Sequence, residues 1–424
     1  MTNRNTAGNR LIEIRRGVIG PVEPRTVAIN ERKPEDYPDL PQAYLDVAEM
    51  WGTRFGGPPL CDEYIEVLKH VFTEEEARAV RHLRGARAGK TAAEIAEAEH
   101  RSEEEISRIM DVLVDEKHVI LASDREEKRR YLLQPLLPGA WETILVRTSL
   151  DSLTDWHIKF VELFLPLYQT GFTTTHLGRR PPGIRYLPVG QSIEYSHVAL
   201  PSDKLGEIFD HYNDFAVGLC QCRMGADIIG QSCGRPMDNC ITMGQLATRL
   251  VKSGQMHRIN IKEALEIKAE AEASGLVSWT SNFVIGESNT SCSCCGCCCM
   301  MMRTISEFNA PGYISPPHFM PEVDSNKCSY CGKCARACPM GAWTVDTKRK
   351  TRSFNSIRCI GCGLCYVACD KEKAIELKPV PGYEPPTVIR VERASHPLAG
   401  ISGIEKEEQT KSDPSANKKS LRDE

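Results

Sequence analysis

Two short stretches near the C-terminus repeat one spacing of cysteines. The first is residues 328–339, CSYCGKCARACP, and the second is residues 359–369, CIGCGLCYVAC. In each stretch three cysteines are separated by two residues, and a fourth follows after three more. A cubane iron–sulfur cluster needs four thiolates, and three cysteines at this spacing can surround one corner of the cube. The doubled pattern therefore predicts two [4Fe–4S] clusters.

A pair of zinc ribbons or knuckles is the alternative for these eight cysteines. Zinc sites usually combine two CxxC pairs that are separated by a longer loop. Here the four thiols of each half lie within eleven residues, and Pro339 follows the first set. The spacing therefore favours iron–sulfur clusters over zinc.

Residues 320–380 resemble the bacterial two-cluster ferredoxin family. Gly332 and Gly363 follow the second cysteine of each half, where the backbone must approach inorganic sulfide closely. Pro339 follows the fourth cysteine of the first half, as in the family, whereas Asp370 replaces the proline expected after the second. The aspartate removes no ligand, but it adds negative charge, which lowers the potential of a nearby cluster.

The resemblance also implies which cysteines hold each cluster, because the fourth cysteine of each half ligates the cluster of the other half. Cluster 1 is then expected to be held by Cys328, Cys331, Cys334 and Cys369. Cluster 2 is expected to be held by Cys359, Cys362, Cys365 and Cys338. The two halves of the segment would therefore interlock.

The composition predicts a multidomain protein of the α+β class. The chain has 424 residues, 41% of them hydrophobic and 26% charged, with a net charge of −4. Such a small charge argues against a surface that coats nucleic acid. No apolar run approaches the roughly 18 residues of a membrane span, and no secretory signal is visible. We expect a cytoplasmic protein whose 19 cysteines serve mainly as metal ligands, in an anaerobic or microaerobic host.

Changes in composition along the chain predict five regions. They are an extended arm (1–60) with a helix near 44–51, a winged helix-turn-helix-like domain (61–140), a mixed α/β Cys-rich metal-binding region (141–320), a two-[4Fe–4S] ferredoxin domain (321–380), and a Pro-rich, disordered tail (381–424). In the third region we predict strands over 185–189 and 194–200 and helices over 242–253 and 261–274. Cys61 stands alone and is expected to be a buried apolar residue.

The second region resembles the winged helix-turn-helix fold over about 70 residues. Thr91 and Ser102 each begin a capping box that opens a helix. A predicted hairpin follows, with a basic turn at residues 128–130. Residues 71–134 nevertheless carry 12 Lys and Arg against 15 Asp and Glu, and the third helix begins with three glutamates. Because phosphate contacts supply most non-specific DNA affinity, we favour protein docking or a structural role over DNA binding.

The third region contains ten further clustered cysteines. They are Cys220, Cys222, Cys233, Cys240, Cys292, Cys294, Cys295, Cys297, Cys298 and Cys299. Six of these thiols lie within eight residues, which apolar packing does not require, so we predict at least one further metal centre. One or two additional [4Fe–4S] clusters, a zinc ion, and a redox-active disulfide or scaffold all remain open. Neighbouring cysteines point in different directions, so they are rarely expected to bind the same metal atom.

Taken together, the chain resembles anaerobe proteins described as 4Fe–4S ferredoxin-type proteins. These combine an N-terminal helical region, a CxCR segment, a CC-rich run and two ferredoxin motifs, and the resemblance spans most of residues 60–380. It brings no established substrate or reaction with it. Arg223 of the CxCR segment is interpreted either as a cation that raises the potential of a cluster or as part of a surface ion pair.

Three hypotheses of function follow. The first is an electron carrier, or an electron-transfer subunit of an oxidoreductase, that passes single electrons through the clusters to a partner protein. The second is a redox-sensing winged-helix regulator, and the third is a reductase with a substrate-binding cluster in the middle region. We identify no catalytic residues. The GxSxG match at residues 230–234 would need a strand before it and a helix after it to be a nucleophile elbow, and Pro236 with the neighbouring thiols favours a metal-binding loop instead.

Overall fold

The computed structural model describes residues 9–52, 57–83, 89–125, 128–176, 182–194, 196–282, 288–310 and 314–386. It has helices and several small sheets, which confirms the α+β class. Among the described residues, no helix is long and apolar enough to cross a membrane.

The first 71 residues contribute a hairpin and two helices. The elements are β1 (Ile12–Arg15), β2 (Val18–Pro21), α1 (Gln42–Trp51) and α2 (Asp62–Val71). Strand β2 pairs with a strand of the ferredoxin segment through Ile19 and Val18. Part of the segment that we predicted as an extended arm therefore belongs to a sheet with Val345 and Asp346, far along the chain.

Three capped helices and a hairpin follow. The elements are α3 (Glu74–Val80), β3 (Lys90–Thr91), α4 (Ala92–Glu99), α5 (Glu103–Asp111), β4 (Leu121–Arg125) and β5 (Lys128–Leu132). Each helix is capped by a hydroxyl side chain, which accepts a hydrogen bond from the backbone amide three residues further on; the capping residues are Thr73, Thr91 and Ser102. The predicted capping boxes at Thr91 and Ser102 are therefore confirmed. The three strands pair in the order β3-β5-β4. The winged-helix assignment itself stays a prediction.

The middle region alternates short helices and strands. Its first elements are α6 (Trp141–Leu145), α7 (Asp155–Gln169), α8 (Thr173–His176), β6 (Ile184–Tyr186), α9 (Gly190–Ile193), α10 (Leu205–Phe209), β7 (Phe215–Leu219) and α11 (Gln221–Ile228). They are followed by β8 (Asp238–Gly244), α12 (Gln245–Lys252), β9 (His257–Ile259), α13 (Ile261–Ala273), β10 (Val277–Ser281), β11 (Ser288–Ser291), β12 (Ser293–Cys294) and α14 (Met300–Ser306). Two antiparallel sheets result, in the orders β11-β8-β7-β9 and β12-β10-β6.

Two local predictions in this region need correction. The helix predicted over 242–253 begins only at Gln245, because Thr242 lies in β8 and pairs with Ala216 of β7. The strand predicted over 194–200 is wrong, since residues 196–200 form turns and a loop. There the backbone amide of Leu200 donates a hydrogen bond to Asp203 Oδ2 at 2.7 Å. This bond begins a helical turn, so the segment does not pair with another strand.

The ferredoxin segment has two strand pairs and two short helices. Its elements are β13 (Phe319–Val323), α15 (Lys333–Ala337), β14 (Trp343–Asp346), β15 (Thr351–Phe354), α16 (Leu364–Ala368) and β16 (Ile375–Pro379). Strands β13 and β16 are antiparallel neighbours, and β14 and β15 continue the N-terminal hairpin in the order β1-β2-β14-β15. One apolar core runs from Trp51 through Trp141 and Phe164 to Trp343 and Ile375. The ferredoxin segment is therefore packed into the body of the protein.

Candidate metal centres

The cysteines predicted for cluster 1 surround one cavity. Its lining includes Cys328, Cys331, Cys334 and Cys369, together with apolar side chains such as Val323 and Ile375. Cys331 is exposed and the other three are half-buried. This arrangement brings Cys369 of the second half to the three closely spaced cysteines of the first half, as crossed ligation requires.

The cysteines predicted for cluster 2 lie deeper. Cys338, Cys362 and Cys365 are buried and Cys359 is half-buried. Burial raises the pKa of the Cys359 thiol to about 12, and the charge of Cys338 acts in the same direction. Cys338 likewise raises the pKa values of Cys362 and Cys365, after burial itself. The charge of Cys338 thus acts on all three cysteines of the other half.

The environment of these thiols does not ionise them in the absence of a metal. Burial also raises the pKa of Cys334 to about 12, so without a metal such thiols are protonated at neutral pH. Metal binding must then release protons. Backbone amides are ready to stabilise the resulting thiolates: Ala342 N–H lies 3.3 Å from Cys338 Sγ, and Ala374 N–H lies 3.3 Å from Cys369 Sγ.

Gly332 and Gly363 open the helices that follow the cluster loops, and both have positive φ, at 75° and 76°. A Cβ atom at Gly332 would meet Ile19 of the N-terminal hairpin, and one at Gly363 would meet Ser192. These glycines thus have left-handed backbone and allow close contact with two other parts of the chain. Asp370, which replaces the family proline, pairs with Lys333 at 2.7 Å, so a cation lies beside its added charge.

The ten middle cysteines separate into two groups in space. The first, here called the four-thiol group, consists of Cys233, Cys295, Cys297 and Cys298, whose Sγ atoms all lie within 4.8 Å of one another. All four side chains are buried. The Sγ atoms of Cys233 and Cys295 are 3.9 Å apart, and those of Cys297 and Cys298 are 3.7 Å apart. Cys297 and Cys298 thus belong to the same group although they are neighbours in the chain.

The other six cysteines form a second group, here called the six-thiol group. It consists of Cys220, Cys222, Cys240, Cys292, Cys294 and Cys299. Cys240 and Cys292 have Sγ atoms 3.7 Å apart. The pKa of the Cys222 thiol is raised by Cys220 and Cys299, and that of the Cys294 thiol by burial and then by Cys292 and Cys299. The six thiols thus act on one another electrostatically.

Local secondary structure explains why the groups separate. Cys220 and Cys222 lie at the start of α11, and Cys240 lies in β8. Strand β11 pairs Ser291 with Ile241 of β8, which places Cys292 beside Cys240. Cys299 begins α14, and its side chain points to the six-thiol group while that of Cys298 points to the four-thiol group.

Two buried cations lie beside the six-thiol group. Arg223 is 2% exposed and donates from Nη1 to the Ser293 carbonyl at 2.7 Å and from Nη2 to Asn239 Oδ1. Burial alone would lower its pKa, but the thiolates of Cys220, Cys295 and Cys294 raise it overall. The surface ion pair that we considered for Arg223 is therefore wrong, since its guanidinium is enclosed with the thiols.

Lys268 is the second buried cation, and no sequence motif pointed to it. It is 2% exposed and donates from Nζ to the Ser291 carbonyl at 2.7 Å and to Ser293 Oγ at 3.1 Å. Burial lowers its pKa to about 8, although the thiolates of Cys292 and Cys240 act in the opposite direction. Its place on α13, opposite β11 and β12, depends on a tertiary contact and not on local sequence.

Interactions among the thiols shift the pKa values of the six-thiol group in both directions. The interaction with Cys222 outweighs burial and, with the charge of Arg223, lowers the pKa of the Cys220 thiol to about 7, whereas the pKa of Cys222 is raised by its interaction with Cys220. The hydroxyl of Tyr186 lies 3.7 Å from Cys299 Sγ. A donor set of several thiolates with nearby cations fits a soft metal or an iron–sulfur cluster.

The middle groups touch the ferredoxin segment through the cysteine run itself. A Cβ atom at Gly296 would overlap the carbonyl group of Pro339, the residue after Cys338. The same carbonyl accepts from Asn9 Nδ2 at 2.8 Å. Arg358 connects the ferredoxin segment to the middle region, because it donates hydrogen bonds to the carbonyls of Met340 and Ser306, both at 2.8 Å. The four-thiol group therefore lies next to the expected site of cluster 2.

Replacing Gly296 with alanine tests this contact. The new methyl group must displace Pro339 or the cysteine run, and overpacking of this kind costs about 1–3 kcal/mol of stability. We expect Gly296→Ala to lower the temperature at which iron–sulfur absorbance is lost on heating. Gly206→Ala is the matched control, since a Cβ atom there has no neighbour within 4 Å. Equal transition temperatures for both variants would contradict a tight Gly296–Pro339 contact.

Comparisons with known proteins agree with the C-terminal site. Residues 320–370 match the family model described as a 4Fe-4S dicluster domain. The chain is also similar to ketoisovalerate oxidoreductase subunit VorC of Methanothermobacter marburgensis, with 31% identity over 62 residues, which is 13% of this chain and 78% of that protein. No solved structure matches the chain.

Proposed function

Since this chain belongs to the 4Fe–4S ferredoxin-type iron–sulfur proteins, we propose that it carries single electrons through two [4Fe–4S] clusters to or from a partner oxidoreductase. The observation that carries the proposal is that Cys369 of the second half lines one cavity with Cys328, Cys331 and Cys334 of the first half. Iron cycles between Fe³⁺ and Fe²⁺ in such clusters. The chain's own residues need only position the cluster, exclude water and set its potential.

The difference in burial suggests a direction for the path. Cys331 is exposed, whereas Cys338, Cys362 and Cys365 are buried. We propose that cluster 1 exchanges electrons with the partner at the surface and that cluster 2 connects to the interior. The relative's name describes a subunit of an oxidoreductase, and by analogy we propose an oxidoreductase as the partner.

The middle cysteines are proposed to extend this path with at least one further metal centre. The six-thiol group supports an additional [4Fe–4S] cluster, because it offers more thiolates than one cubane needs and has two buried cations beside it. The backbone amide of Val189 donates to the Cys362 carbonyl at 3.0 Å, and Tyr186 contacts Cys299. A short segment of chain thus joins the six-thiol group to cluster 2.

Iron and sulfide analysis of the full chain, purified without air, tests the electron-transfer proposal. The two ferredoxin clusters require about eight irons per chain, and a third cluster requires about twelve. Reduction with dithionite is expected to produce the EPR signals of reduced [4Fe–4S] clusters at cryogenic temperature. Fewer than about eight irons together with a silent EPR spectrum would overturn the proposal.

For the N-terminal region we propose a winged-helix unit that docks a protein. Its basic hairpin is already neutralised: Arg129 pairs with Asp111 at 3.2 Å and Asp115 at 2.7 Å, and Arg130 pairs with Glu94 at 3.4 Å. DNA phosphates would have to displace these carboxylates.

We therefore expect no binding of duplex DNA in a fluorescence anisotropy titration at low salt. The titration is made with the oxidised and with the reduced protein. Salt-dependent binding that changes between the two states would instead support the redox-sensing regulator.

A further inference from the structure

We infer that the four-thiol group, Cys233, Cys295, Cys297 and Cys298, is a closed site for a single Zn²⁺ ion. The inference refines the proposal that the middle thiols bind metal, and it does not depend on how electrons move. It separates the ten middle cysteines into a structural zinc site and an iron–sulfur site.

The spacing of the sulfur atoms carries the inference. All four Sγ atoms lie within 4.8 Å of one another, and two pairs are 3.9 and 3.7 Å apart. With Zn–S bonds of about 2.3 Å, a tetrahedral site separates its sulfur atoms by about 3.8 Å. The four-thiol group therefore already has the dimensions of a ZnS₄ site.

A cubane cluster would need more space than the four-thiol group encloses, as the cysteines of cluster 1 show. Four irons and four sulfides stand between the thiolates of a [4Fe–4S] cluster, so its cysteines must surround a space. Cys328, Cys331, Cys334 and Cys369 line such a cavity. In the four-thiol group all four sulfur atoms lie within 4.8 Å of one another, which fits one ion at their centre, whereas the six-thiol group brings its sulfur atoms together only in pairs such as Cys240 and Cys292.

The backbone around the group is closed and compact, as in structural zinc sites. Three of the cysteines come from one turn, in which the Cys299 amide donates to the Cys295 carbonyl at 3.1 Å. The fourth, Cys233, comes from the loop between α11 and β8. All four are buried, the most exposed at 7%, so no position is left open for water or substrate.

Donors outside the group match the charge of a tetrathiolate site. Four thiolates around Zn²⁺ carry a net charge of −2. Arg10 Nη1 lies 3.7 Å from Cys298 Sγ and brings a positive charge to the site. Donors of this kind orient the ligands and stabilise the metal complex. Arg10 was not identified from the sequence, because it lies 288 residues from Cys298.

The position of the group indicates what the zinc ion stabilises. It joins the loop of Cys233 to the run that contains Gly296, and Gly296 packs against Pro339 beside Cys338. The ion therefore stabilises the part of the middle region that packs against the expected site of cluster 2. Its role is structural, since a Zn²⁺ ion has no redox chemistry.

Metal analysis of the full chain, produced anaerobically with both iron and zinc supplied, tests the inference. We expect one zinc per chain, with a zinc X-ray absorption spectrum of four sulfur ligands at about 2.3 Å. Cys233→Ala is expected to lose the zinc and retain the iron. Cys222→Ala, in the six-thiol group, is the matched control and is expected to retain the zinc.

Cys233→His keeps the test decisive if the alanine variant fails to fold. Zinc accepts imidazole nitrogen, so this variant should retain zinc with three sulfur ligands and one nitrogen ligand. A wild-type chain without zinc, or a Cys233→His variant whose zinc still has four sulfur ligands, would overturn the zinc site. Absence of zinc with about eight or more irons and normal EPR signals would refute this inference alone, whereas zinc without iron would refute only electron transfer.

Discussion

Replacing Cys369 with alanine is expected to remove cluster 1 and leave cluster 2 in place. Cys369 lines the same cavity as Cys328, Cys331 and Cys334, although it belongs to the other half of the repeat. Loss of one ligand from an exposed cubane should cost about four irons per chain. The measurement is iron content with cryogenic EPR on dithionite-reduced protein, and Cys61→Ala, at a buried cysteine outside all the thiol groups, is the control.

Double variants show which cluster each cysteine holds. If ligation is crossed, Cys369→Ala combined with Cys331→Ala damages the same cluster twice, so the pair loses no more iron than one variant alone. Cys369→Ala combined with Cys362→Ala then damages both clusters and loses about eight irons. Ligation within each half predicts the reverse pattern.

Replacing Arg223 with methionine is expected to have the second large effect. Methionine keeps the length of the side chain but removes the charge that lies among Cys220, Cys294 and Cys295. Breaking a buried charge pair typically costs about 3–5 kcal/mol of stability. Loss of a positive charge also lowers the potential of a neighbouring cluster. A potentiometric EPR titration should therefore show a lower potential for the middle centre and unchanged potentials for the ferredoxin clusters.

Two further variants separate charge from packing at this position. Arg223→Lys keeps the charge but loses the forked guanidinium that contacts both Ser293 and Asn239. We therefore expect a potential of the middle centre between those of the wild type and Arg223→Met. Arg129→Met removes an exposed ion pair and should leave both stability and potentials close to the wild type. If Arg223→Met has the stability and the potentials of the wild type, Arg223 has no electrostatic role at the six-thiol group.

The features that could be predicted from the sequence depend on residues close together in the chain. The three-cysteine loops at 328–334 and 359–365 need only local backbone to present their thiols to one cluster. The capping boxes at Thr91 and Ser102 work in the same way, because each joins a side chain to an amide three residues ahead. The burial of Cys61 followed from its lack of partners.

The grouping of the middle cysteines could not be predicted, because strand register decides it. Cys240 meets Cys292 only because β8 and β11 pair with Ile241 opposite Ser291. A shift by one residue would turn each side chain to the other face of the sheet. The strand β8 was itself missed at Thr242, where we predicted a helix.

By itself, the sequence determined that eight thiols, enough for two [4Fe–4S] clusters, lie near the C-terminus and that ten more cluster in the middle region. Tertiary structure alone decided that four of the ten meet around a space the size of one ion, and that Arg223 and Lys268 are enclosed beside the other six. It also placed Gly296 against Pro339. Ligand loops are local and can be recognised from spacing, whereas contacts between distant segments depend on strand pairing and packing, which no short motif encodes.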